Sequence, residues 1–167
     1  MDEKPILLNQ LEITRQMTLS LLETIEKSGA NVQKALTWQP APGRAHIGWQ
    51  LMHIAATDDR YLNFRLLGKP VERVDDPALV NTFGGGSTPT PANVPAPEQI
   101  RATLARTRAK MIAHVQALDP AKLDIKPFPD APRTNRTAFQ FLAWHEAHHQ
   151  GQAHLTWNLY KAAHGIK

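Results

Sequence analysis

The chain has 167 residues, 42% of them hydrophobic and 20% charged, an ordinary globular composition with enough length to bury a core. It has no cysteine, which excludes disulfides, thiolate nucleophiles and Cys-ligated metals, so any metal must be held by histidine or carboxylate. The formal charge of +4 comes from Lys and Arg spread along the chain, with no basic cluster among aromatics to suggest nucleic-acid binding.

The opening "MDEKPILLNQLEITRQ" turns acidic at once and lacks a small-residue cleavage site after an apolar stretch, so no secretory signal is expected. No apolar run reaches 18 residues, so no membrane span is expected either, and the cytoplasm is the default location. Leu7, Leu8, Leu11, Met17, Leu21, Leu22 and Ile25 recur at three- and four-residue steps and predict a first helix from about Ile6 to Lys27. "SGAN" ends it, and "WQPAPGRA" reads as a turn-rich link. A second helix is predicted from His46 to about Leu67, stopped by "GKP". Next comes "VDDPALVNTFGGGSTPTPANVPAP", a Gly/Pro-rich loop of the length that is usually functional or disordered.

A third helix is predicted from Pro97, a residue suited to a first turn, to Leu118, carrying Ile100, Leu104, Met111 and Val115. The shorter loop "DPAKLDIKPFPDAPR" leads to a fourth, capped by Thr134 or Asn135 and running to about Ala163. No strand-like alternation competes. The expectation is one all-α domain over residues 1–167, built as a four-helix bundle with a long loop between helices two and three.

Five of the eight histidines fall between positions 145 and 164, and "WHEAHHQGQAH" contains a literal H-E-x-x-H. The longer zinc-protease form needs its glycine and third histidine where Gln152 and Leu155 stand; Gly151 and His154 come one residue, about 100° of helix, too early. No strands are predicted to bind a peptide edge, so the protease reading fails. His145 and His149 remain as a pair four residues apart, about 40° around and about 6 Å along a helix. Such a pair grips one ion from one face, and a third ligand must come from another helix. His53, mid-helix in "WQLMHIAATDD", is the candidate; alone it would read as a hydrogen-bonded core histidine. His148 shares the spacing and could replace His149, but reads as a neighbour supporting the ligands or as a solvent-facing residue. His46 lies two turns before His53 and could line a pocket mouth, while His154 and His164 read as surface residues and His114 has no companion. Asp58 and Asp59 follow His53 at the wrong phase to close the site, which favours open coordination positions.

Trp49 with His53 in "IGWQLMHIAATDDRYL", and His145, His149, Gly151 and Gln152 in "WHEAHHQGQAHLTWNLYK", make the chain resemble the DinB family (DinB/YfiT-like) over essentially its whole length. The resemblance implies an up-down-down-up four-helix bundle and a divalent metal, zinc or nickel, on His53, His145 and His149. It assigns no role to Glu146, and Gln152 reads equally as a donor to a bound ligand or as a packing residue. A three-histidine ion with open positions can lower the pKa of water or of a substrate thiol, or polarise a carbonyl. The resemblance implies a small-molecule substrate, with a thiol-dependent S-transferase using a low-molecular-weight thiol, or a hydrolase, as the activity. The alternative is a non-catalytic metal-binding bundle acting in dimerisation, stress response or ligand binding. Trp49, Trp144 and Trp157 read as core or interface aromatics, and the resemblance implies a homodimer.

Overall fold

The computed structural model describes residues 3–166. Among them every regular element is helical, and none is long and apolar enough to cross a membrane. Helix α1 (Lys4–Lys27) starts on a first-turn proline and buries Leu7, Leu11, Leu21, Leu22 and Ile25. Met17, expected on that stripe, is 56% exposed; Arg15 and Thr18 hold the inward positions between Leu11 and Leu21.

The turn-rich link holds a short helix, α2 (Val32–Thr37), capped by the Asn31 side chain, which accepts from the Lys34 N–H at 3.0 Å. Helix α3 (Ile47–Arg60) begins after His46, whose Nδ1 accepts the Trp49 N–H at 3.0 Å. Capping α3 takes His46 fully inside, so it lines no pocket mouth as expected of it. The helix continues as a π-helical turn (Tyr61–Leu66), with the Leu67 N–H bonded to the Leu62 carbonyl five residues back.

The long loop is also partly helical. Asp76 accepts the Leu79 N–H at 3.0 Å and starts α4 (Pro77–Phe83), which sends Leu79 and Phe83 into the core. Helix α5 (Pro97–Ala117) and helix α6 (Asn135–His164, capped by Thr134) lie within a residue or so of their predicted bounds.

Helix α6 packs on α1 and α3, and α5 packs on α3 and α1, while α2 and α4 lie against α3. The interior divides into two apolar clusters. One gathers residues such as Leu22, Ile25, Leu51, Ile54, Leu104 and Trp157. The other gathers Leu11, Leu62, Met111, Phe139 and Leu142. Each long helix sends a buried charge inward, Arg15, Asp58, Arg108 and Glu146, none more than 6% exposed; α3 also buries Asp59, which bonds Asn63 and Asp76 instead.

These four neutralise one another. Arg15 donates to Glu146 at 2.7 Å and to Asp58 at 3.1 Å; Arg108 donates to Asp58 at 3.0 Å and also to Glu146. Spare guanidinium N–H groups reach across to main chain, from Arg108 to the Leu11 carbonyl at 3.0 Å and from Arg15 to the Leu104 carbonyl. Removing one member strands a buried charge, a loss of about 3–5 kcal/mol. Urea unfolding should show that loss for Arg108→Met and for Glu146→Leu, with the double variant losing clearly less than their sum.

Candidate metal centre

Helix α3 carries three side chains of the site, and each has a structural reason for its aim. Trp49 stacks on His53 one turn later, with ring centroids 4.5 Å apart and planes 8° from parallel. His53 is 6% exposed, and its Nδ1–H donates to the Phe83 carbonyl at 2.6 Å. That bond fixes the tautomer: a neutral ring donating from Nδ1 keeps a free lone pair on Nε2.

From α6, His149 makes the same arrangement with another partner. Its Nδ1–H donates to the Gln50 side-chain carbonyl at 2.5 Å, and the ring also hydrogen-bonds the Gln152 side chain. His145 brings its Nε2 to 3.2 Å from that of His53. One ring nitrogen from each of His53, His145 and His149 lies within 4.8 Å of the others. Nitrogens bonded to one tetrahedral ion at about 2.0–2.1 Å stand roughly 3.4 Å apart, so the 3.2 Å pair has ligand spacing. Acceptors holding the far nitrogen of metal-binding imidazoles are the usual outer support of such sites. The donor set therefore fits a divalent ion.

Among the described residues no carboxylate joins the three. Glu146 is turned away into the arginines, as is Asp58, and Asp59 is occupied by the Asn63 side chain and the Asp76 N–H. The H-E-x-x-H glutamate is thus a structural anion, not a base facing the centre. His148 lies outside the cluster, exposed, stacked on Trp144 at 5.3 Å and 3.0 Å from the Gln152 side chain. The Gln152 side chain also hydrogen-bonds His149, so it borders the centre. His154 and His164 are exposed, and the Nε2 of His114 is buried with no hydrogen-bond partner among the described residues. Trp49 and Trp157 are buried, whereas Trp144 is 59% exposed.

A cavity of about 290 Å³ opens beside the centre, with His53 and His145 in its wall and Gly84 and Gly85 at its lip. A Cβ at Gly84 would fall 2.3 Å from the Val80 carbonyl, so the chain can leave α4 in this direction only at a glycine. Two contributors were not anticipated from sequence. The Phe83 carbonyl is a main-chain group and carries no side-chain signal, but Gln50, a lone amide within "IGWQLMHIAA", is a polar residue on a buried stretch that needed a partner.

Burial lowers the pKa of all three imidazoles: His53 despite its bond to Phe83, His145 to about 4 and His149 to about 3, the last two helped by their histidine neighbours. The family model of the DinB superfamily matches residues 10–153 of the chain. No curated protein and no solved structure matches it.

As pH falls, the unfolded chain takes up protons on these residues before the folded one does. Their contribution to stability is complete above the ordinary imidazole value of 6.5 and is lost progressively toward pH 4 and 3. The melting temperature of metal-free protein should therefore drop between pH 7 and 4. The drop should be shallower in a His145→Ala, His149→Ala variant.

Proposed function

The chain belongs to the DinB superfamily, and from that premise we propose that it is a metal-dependent enzyme acting on a small molecule. Its four long helices form the up-down-down-up bundle of one cytoplasmic domain, and His53, His145 and His149 hold zinc or nickel, both of which imidazole suits. The observation that carries this reading is the convergence of three imidazoles, two of them with Nδ1 tied to an acceptor. A bound divalent ion would supply Lewis acidity for thiol or hydrolytic chemistry.

The chain's own residues do the rest. Phe83 and Gln50 hold their imidazoles in the ligating tautomer, Trp49 shields the face of His53, and Phe141 and Tyr61 make the cavity partly apolar. The absence of a protein carboxylate from the cluster, among the described residues, supports open positions for substrate. S-transfer to or from a low-molecular-weight thiol is the favoured activity, with hydrolysis as its neighbour.

The second reading is a non-catalytic metal-binding protein working through association, and one surface favours association on either account. Ile13 and Met17 on α1, with Trp144, Leu155 and Leu159 on α6, are large apolar side chains between 44% and 61% exposed. Gly151 stands between Trp144 and Leu155 with nothing within 4 Å of where a Cβ would be. An exposed mid-helix glycine costs about 0.5–1 kcal/mol relative to alanine, and space beside it suits a second chain. A homodimer through this face should appear in sedimentation of the wild type and be lost in Leu155→Glu.

Metal content tests the centre. Untagged protein should carry close to one zinc or nickel per chain by mass spectrometry, and a His53→Ala, His145→Ala, His149→Ala variant should carry none. Metal absent from the wild type after reconstitution with both ions would overturn the enzyme reading. With metal established, turnover of electrophiles with glutathione, bacillithiol or mycothiol separates the enzyme from the non-catalytic alternative.

A further inference from the structure

The cavity beside the centre holds more positive charge than its surroundings explain. Arg60, Arg65 and Arg133 all line it, and among the described residues no acidic one does. Arg15, Arg101, Arg106, Arg108 and Arg136 each pair with a carboxylate, whereas these three pair with none among the described residues.

Aromatic rings position them instead. The guanidiniums of Arg60 and Arg65 lie 5.9 Å and 4.6 Å from the Phe64 ring centroid, and that of Arg133 lies 4.4 Å from Phe141. Arg133 also donates to the Tyr61 hydroxyl at 3.0 Å. Such contacts hold a guanidinium without neutralising it and leave most of its fork of N–H donors free.

The π-helical turn is the element that gathers two of the three. In an uninterrupted α-helix Arg65, twelve residues after His53, would be turned about 120° from it. A π turn takes up roughly one residue more than an α turn, so by Arg65, near the end of the Tyr61–Leu66 turn, the rotation lags that of an α-helix by about 90°. Arg65 thereby returns to the face shared by His53 and Arg60. Three like charges around one small cavity repel unless an anion joins them, and the planar fork matches a carboxylate in particular.

We propose that this cavity binds a small organic carboxylate. The carboxylate lies among Arg60, Arg65 and Arg133, and the apolar body rests on Phe141 and Ala56 at the edge where His53 and His145 face the cavity. The assignment rests on the reading of the centre as a substrate site and names its substrate class. The volume of about 290 Å³ is at the small end for ligand pockets and suits a molecule of single-ring size.

Calorimetric titration of zinc-loaded and metal-free protein with benzoate, benzamide and inorganic phosphate tests it, beside Arg65→Gln and Arg133→Gln. Benzoate should bind the wild type at least ten-fold more tightly than benzamide or phosphate does. Each variant should lose ten-fold or more of that affinity while keeping its metal content and circular dichroism. Equal binding of benzoate and benzamide, phosphate binding as tight as benzoate, no benzoate binding, or variants that bind like wild type would each overturn the proposal. The metal reading fails separately: benzoate bound through the arginines by a protein that takes up neither zinc nor nickel would sustain the anion site and remove the metal. Metal uptake without benzoate binding would do the reverse.

Discussion

Everything at the centre depends on how four charges are buried together. Arg15, Asp58, Arg108 and Glu146 come one from each long helix, and each can satisfy its partners only when all four helices stand at one height and one rotation. An apolar contact tolerates a slide of an ångström or two; a network of charge-assisted hydrogen bonds in a dry interior does not. Burying ions is an inefficient way to gain stability, and its attested use is to set register. Here the register reaches the histidines directly. Glu146 is the neighbour of His145, so holding one inward aims the other along the adjacent face toward His53. Asp58 lies five residues past His53 on α3 and fixes the height at which that ring meets α6.

The same quartet shows what sequence reasoning could and could not reach. The three histidines were legible because their spacing and chemical type coincide, two at one helical step and a third on a stripe that is otherwise apolar. The long helices were legible from apolar periodicity, and α5 and α6 keep their predicted ends because Pro97 and Thr134 mark them. The quartet carried a signal too. Arg15 stands four after Leu11, Arg108 four after Leu104, Glu146 four after Leu142 and Asp58 four after Ile54, so each interrupts a core stripe where an apolar residue is due. A charge in that position must be paired. What could not be read is which helix pairs with which, because that belongs to three-dimensional packing alone.

The connections were the least legible part. Asn31 before α2, and Asp76 with Pro77 before α4, are helix starts written in ordinary capping chemistry, but each helix is only a turn or two long and shows no periodicity to support it. Both exist because α3 offers an apolar face to pack on, where Ala35, Leu36, Leu79 and Phe83 are buried. The π turn was equally hidden, since "YLNFRL" is as good an α-helix as its neighbours; it buries Leu62 and Leu66 in the core.

One adjacency joins the cavity to the centre mechanically. The carbonyl that holds the His53 ring belongs to Phe83, and the next two residues, Gly84 and Gly85, form the cavity's lip. Any displacement of that lip would bear on the atom that sets the tautomer and tilt of His53. By thermodynamic linkage, whatever stiffens this corner for one guest stiffens it for the other. A guest in the cavity and an ion on His53 would share this corner, and each would then change the affinity for the other by the same factor.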